Sequence, residues 1–248
     1  TGSDFDTEGF QIAGGDFWIG DEFGPYLIQA DLQGRVKAVF ETKVDGKTIV
    51  SPDHPSVVTP GAPNGELKFQ SRRSKGYEGL ASSPDGSKLY ALLEGALWDE
   101  ATKAPEALDG KQISPTEGLI IERDNGEGTP DKACPEGQKR TDCFHDLPKF
   151  KRVVKVELSE ANVNGPLRKI GSIDLLNIAD PNKLARKPLV NGVLSFPFFT
   201  IENVDVVDAT HIVVGNDNNL PFSSSREPNQ ADDNELILLE VGEFLKAR

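Results

Sequence analysis

The sequence predicts an all-β fold of β-propeller type, and three observations carry that expectation. Short apolar strands alternate with turn residues along most of the chain, a Glu-led motif recurs four times at long spacings, and helical periodicity is nearly absent.

The strand pattern is plainest near the start. Phe17-Trp18-Ile19-Gly20-Asp21-Glu22 is followed by Tyr26-Leu27-Ile28-Gln29-Ala30-Asp31, then by the turn residues Gln33-Gly34 and the strand Val36–Phe40. Successive side chains of a strand face opposite sides, so such runs bury one face or both. Ser83-Pro84-Asp85-Gly86 is a turn by chemistry: proline presets φ, Asp bonds the local backbone and Gly accepts positive φ. It leads into the strand Lys88–Glu94, and further strands are expected at Gly118–Glu122, Arg152–Leu158, Lys169–Ile173, His211–Gly215 and Leu236–Val241. A turn or two of helix is expected within Asp174–Lys187, and a short terminal helix over Val241–Lys246.

Aligning strands by what precedes them exposes the repeat. Thr7-Glu8-Gly9-Phe10, Tyr77-Glu78-Gly79-Leu80, Thr116-Glu117-Gly118-Leu119 and Ile201-Glu202-Asn203-Val204 share a Glu, a small or turn-tolerant residue and an apolar one. The glutamates are spaced by 70, 39 and 85 residues. The middle interval is close to the roughly 40–45 residues of a four-stranded propeller blade, and the others approach two blades or a blade with an insertion. Repetition around an axis also leaves few exposed strand edges. A β-sandwich is the rival architecture, disfavoured by the long and unequal spacing. Residues 1–248 are read as one domain, with a polar insertion near 123–150.

Composition narrows the function. Asp and Glu total 40 against 27 Lys and Arg, a net charge of −13. That field disfavours nucleic acid and anionic membranes, which need a basic footprint, and it suits cations. No apolar run approaches the roughly 18 residues of a membrane span. The chain starts at Thr1 and has no Met, which points to a processed or partial product. The two cysteines, Cys134 and Cys143, lie in the polar insertion. A disulfide stapling that insertion suits a secreted, periplasmic or extracellular protein. Free thiols are the alternative, and a zinc or redox pair lacks CxxC spacing.

In a propeller, inner strands point their leading residues at a central channel. Glu8, Glu78, Glu117 and Glu202 stand where such strands begin; Asp21, Glu22, Glu94 and Asp217 stand where apolar strands end. Converging carboxylates raise one another's pKa unless a counter-charge is present. Ca²⁺ supplies one and takes carboxylate, amide and water oxygens. The expected calcium ligands are Glu8, Asp21, Glu22, Glu202, Asn203, Asp205, Asp217 and Asn218, with Asn219 beside them. Taken singly, each of these residues also reads as a solvated turn residue. Zinc is disfavoured, because His54, His145 and His211 are not paired at ligand spacing. Arg73 and Lys75, next to Arg72, form the best phosphate-binding element, although an exposed basic loop tip reads equally well. No Gly-x-Ser-x-Gly elbow occurs.

Four segments together resemble the phytase-like family, described as esterase-like activity of phytase. They are Asp6–Phe10 running on to Phe17–Pro25; Lys75–Ala81 with Ser83–Gly86 and Glu94-Gly95; Glu122–Asn125; and Ile201–Asp205 with Gly215–Asn219. The resemblance spans nearly the whole chain and implies a β-propeller that lacks one or more N-terminal blades. It also implies a secreted, calcium-dependent phosphoester hydrolase acting on a small phosphorylated or ester substrate, with Glu78, Glu202 and Asp217 as its catalytic acids. The alternative is a non-catalytic extracellular propeller in which calcium is structural and a face binds a ligand or protein partner.

Overall fold

The computed structural model describes residues 2–61, 65–106, 117–123 (as backbone), 148–157, 168–220, 223–227 and 230–248. Cys134, Cys143 and most of the expected insertion near 123–150 lie outside these residues. Regular structure among the described residues is almost wholly β, as expected, and is divided into small antiparallel sheets. Two compact units emerge, the first holding the described residues up to 106 and the second those from 117 onward.

The first unit begins with a four-stranded meander: β1 (Thr7–Ala13), β2 (Asp16–Asp21), β3 (Tyr26–Ala30) and β4 (Val36–Glu41), paired in that order. A small hairpin of β5 (Lys43–Val44) and β6 (Lys47–Thr48) follows. Next come the pair β7 (Tyr77–Ser82) with β8 (Leu89–Leu93) and the short pair β9 (Trp98–Asp99) with β10 (Ala104–Pro105). Strand β1 packs against β7 at backbone distance. A Cβ at residue 9 would lie 2.7 Å from the Leu80 nitrogen and 2.8 Å from the Glu78 carbonyl oxygen, so Gly9 is required there. Among the described residues of this unit, Ala13, Ile28, Ala30, Ile49 and Tyr77 are the buried apolar ones.

The second unit holds two three-stranded meanders. One is β11 (Glu117–Arg123), β12 (Lys151–Glu157) and β13 (Arg168–Asp174). After the short pair β14 (Ile178–Ala179) with β15 (Val193–Leu194) comes the other: β16 (Ile201–Val206), β17 (His211–Asn216) and β18 (Leu236–Glu240). The core joins Val153, Leu175, Phe196, Phe198, Ile201, Ile212, Val214 and Leu239. Phe196 and Phe198 meet edge to face at 4.8 Å, a geometry favoured by ring quadrupoles. Lys151 is fully buried and donates to the Phe199 carbonyl at 3.0 Å, so its ammonium is not stranded in the core.

The terminal helix forms as α1 (Gly242–Lys246). The expected helix within Asp174–Lys187 does not. Asp174 accepts the Leu176 N–H at 3.0 Å, and Asp180 accepts those of Leu184 and Ala185 at 2.9 and 2.8 Å. These side-chain bonds to nearby backbone offer the chain an alternative to helix, and Asp and Asn favour turns for that reason.

The repeated glutamate has a shared structural position. Strand β1 shifts register between Thr7 and Phe10, β7 between Tyr77 and Gly79, and β16 between Ile201 and Asn203. Glu8, Glu78 and Glu202 therefore each sit in a β-bulge at the start of the leading strand of a sheet. A bulge bends its strand and re-aims the side chain it carries. Glu117 departs from the pattern, pairing in regular register with Glu157.

Candidate functional site

The bulges of β1 and β7, both in the first unit, bring their acids to neighbours from two loops. Asp6, Glu8 and Glu22 each offer a carboxylate oxygen within 4.8 Å of the others, and so do Glu22, Glu78 and Glu94. Glu22 belongs to both groups and is only 8% exposed. Backbone pairing fixes the assembly: the Glu22 N–H donates to the Asp6 carbonyl at 2.8 Å, and the Glu94 N–H to the Gly76 carbonyl at 2.9 Å. Lys75 donates to the Glu94 carboxylate, setting one cation within the acidic site.

The electrostatics follow from crowding. Burial, then repulsion from Glu78 and Glu94, push the Glu22 carboxyl up to about 8, with Lys75 opposing the rise. A carboxyl this perturbed beside named charge partners marks a functional-site candidate.

The other expected site residues have the following settings. Asp21 is fully buried, and its carboxylate accepts the N–H groups of Asp6 and Gly24, both at 2.8 Å. It thereby holds the two chain segments that carry Asp6 and Glu22. Arg73 does not accompany Lys75; its guanidinium forks onto Asp53 through Nε and Nη2, each at 2.8 Å. Glu202, Asn203, Asp205, Asp217 and Asn218 lie in the second unit. Asn203 and Asp205 are exposed. The 216–219 loop is knitted to its neighbours: Asn216 donates to the Asp233 carbonyl, Asn218 to the Asp232 carbonyl, and Asn219 to the Thr200 hydroxyl. Asp217 accepts the Asn219 N–H at 3.0 Å. Of the three histidines, His54 is buried against the Tyr26 ring and His211 bonds Asp208, both in structural settings. His145 lies outside the described residues.

Asp6 is a member of the site that sequence reasoning passed over, although it stands two positions before Glu8 in the same motif. Its recruitment depends on the Asp6–Glu22 backbone pairing, which no local pattern announces.

A cleft of about 660 Å³ adjoins this region, lined by Phe5, Phe23, Gly24, Tyr26, Val39 and Pro55 together with Asp4, Asp53, Arg73 and Ser74. Phe5 meets Tyr26 edge to face at 5.9 Å and 81°. A Cβ at residue 24 would overlap the Tyr26 ring, so the ring occupies the space beside the Gly24 backbone.

Fold and site define a class: an all-β protein with a bulge-borne carboxylate cluster beside a largely apolar cleft. The chain belongs to the phytase-like family, described as esterase-like activity of phytase, whose profile matches residues 1–114 and again residues 107–220. A protein from Arthroderma benhamiae described as an uncharacterized secreted protein is 32% identical over 101 residues, 37% of this chain. The match covers only a fifth of that relative's length (20%). No solved structure matches the chain. Among the described residues, no helix is long and apolar enough to cross a membrane.

Proposed function

We propose that this protein is a secreted, calcium-dependent phosphoester hydrolase whose site is the acid cluster of the first unit. The observation that supports this reading best is Glu22, placed where two groups of carboxylates meet, its carboxyl pushed up by burial and then by repulsion from Glu78 and Glu94. The donor set suits a hard cation, since every contributor is a carboxylate and no His or Cys joins the groups among the described residues. Asp6, Glu8, Glu22, Glu78 and Glu94 would hold the ion. When bound, it would supply counter-charge to a phosphate and lower the pKa of a water ligand.

The chain's own groups have distinct tasks. Glu78 takes the proton from water as a new oxygen–phosphorus bond forms and the ester P–O bond breaks. The leaving oxygen takes a proton from solvent and departs as the alcohol, Glu78 returns its proton to solvent, and inorganic phosphate remains. Lys75, anchored on Glu94, offsets charge on the phosphoryl oxygens, and Arg73 contributes a guanidinium fork from the adjoining cleft. The proposal rests on the first unit and does not use Glu202 or Asp217. We further propose that the sequence-ordered meanders, each led by a Glu-bearing strand, are blades of a β-propeller.

One observation favours a binding module instead: Lys75 and Arg73 already pair with Glu94 and Asp53. In that reading calcium is structural and no ester is cleaved. Hydrolysis of 4-nitrophenyl phosphate by the purified chain separates the two. Activity abolished by EGTA, restored by calcium and lost in Glu78→Gln supports the hydrolase; a calcium-loaded, stable and inactive protein rejects it.

A further inference from the structure

The cleft and the acid cluster are built on the same three segments. Phe5, Phe23 and Ser74 line the cleft, while their immediate neighbours Asp6, Glu22 and Lys75 belong to the acidic site. Adjacent Cα atoms are about 3.8 Å apart, so each segment passes from cleft wall to charged site within one residue. A molecule reacting at the carboxylates would have the cleft as its neighbour.

The chemistry of the walls is selective. Phe5, Phe23 and Tyr26 supply ring surface, with Val39 and Pro55 beside them. Among the described residues of the lining, Arg73 is the single basic one, against the two acids Asp4 and Asp53. The Arg73–Asp53 pair is exposed, with side-chain exposures of 69% and 33%, and such pairs contribute little to stability. A phosphate can therefore take over the guanidinium fork, whose geometry matches either oxyanion.

On the hydrolase reading above, we infer that this cleft receives the organic group of a phosphate monoester, and that this group is an aromatic or compact aliphatic one. A polyol carrying many phosphates, such as inositol hexakisphosphate, does not fit. Each added phosphate needs a cation, and the lining offers one arginine while presenting two carboxylates. An aryl group instead buries its faces on Phe5, Phe23 and Tyr26, gaining from ring contact as well as from lost water. The cleft volume falls within the roughly 300–1,000 Å³ of small-molecule sites.

The test compares 1-naphthyl phosphate with inositol hexakisphosphate as substrates in calcium buffer, and measures binding of 1-naphthylphosphonate, which cannot be hydrolysed, by calorimetry. The expected result is a kcat/KM at least tenfold higher for the naphthyl ester. Phe5→Ala should raise its KM several-fold with kcat little changed, and weaken phosphonate binding equally. Arg73→Gln, at an exposed position, should raise KM without lowering Tm, which guards against a Phe5 variant that fails to fold. Preferred turnover of the hexakisphosphate would overturn this inference and leave the hydrolase reading standing. Phosphonate binding that is sensitive to Phe5→Ala, with no ester cleaved, would do the reverse. Failure of the phosphonate to bind would overturn the assignment of the cleft.

Discussion

The backbone of Gly76 lies directly against the carbonyl of Glu22, so closely that a Cβ at residue 76 would overlap it. Two loops thus meet without a side chain between them, and that contact sets the depth at which the Glu22 carboxyl enters the acid cluster. Gly76→Ala forces the loops apart. Overpacking of this kind costs about 1–3 kcal/mol, and both the melting temperature and calcium affinity should fall. A variant with unchanged Tm and unchanged affinity would show that the loops yield freely.

Glu22 also gives the metal-free protein a characteristic pH dependence. Its folded-state pKa is raised to about 8 from the usual 4.5. Between those values the native state binds more protons than the unfolded chain, so stability falls as pH rises. The contribution is fully present below pH 4.5 and is lost as pH passes through 8. Chemical denaturation in EGTA at pH 5, 6.5 and 8 should show declining stability, and Glu22→Gln should flatten that part of the slope. Calcium should flatten it too, because the cation replaces the proton as counter-charge. A slope that persists unchanged in Glu22→Gln would assign it to other groups.

Much of this fold is legible in local chemistry. The Ser83–Gly86 turn closes as its residues dictate, with the Gly86 N–H on the Ser83 carbonyl at 2.8 Å and Asp85 accepting the Ser87 N–H at 3.1 Å. The repeated glutamates were visible because each opens an apolar strand; their bulges were not, because a register shift is a property of two paired strands. The same limit explains Arg73 and Lys75. Two residues apart on one loop, they read as a single basic element, yet Lys75 turns to Glu94, 19 positions away, and Arg73 to Asp53, 20 positions away. Asp217 to Asn219 read as ligands because amides and carboxylates are oxygen donors; that the same groups also bond across the loop to Thr200 and Asp232 depends on residues distant in sequence, which no local pattern announces.

In the second unit, Lys155 is buried and donates to the carbonyls of Leu245 and Ala247 at 2.8 and 3.0 Å. These are carbonyls at the C-terminal end of α1, which lack intrahelical partners and carry the negative end of the helix dipole. Lys155→Met keeps the stem and removes the charge. It should destabilise by about 1–3 kcal/mol, the cost of leaving buried polar groups unsatisfied, and raise amide exchange at 242–247. Unaltered exchange there would mean that α1 is held by Phe244 and Leu245 packing alone.

The sharpest test of the acid cluster separates its members from ordinary surface carboxylates. Calcium that binds only the native state stabilises it by mass action, by about 2.7 kcal/mol at a hundredfold excess over Kd. Glu78, lifted from regular pairing by its bulge, is one of four acids grouped with Glu22, the others being Asp6, Glu8 and Glu94, whereas Glu243 is 93% exposed and pairs within its own helix. Glu78→Gln retains shape while removing one negative charge. It should therefore leave the calcium-free protein as stable as before, or more so, since Glu78 repels Glu22. The Tm gain on adding calcium should shrink by at least half. Glu243→Gln should keep the full gain. Equal gains in both variants would show that the cation, if one binds, is held elsewhere, and the carboxylates around Glu22 would then be an acidic cluster relieved by protons alone.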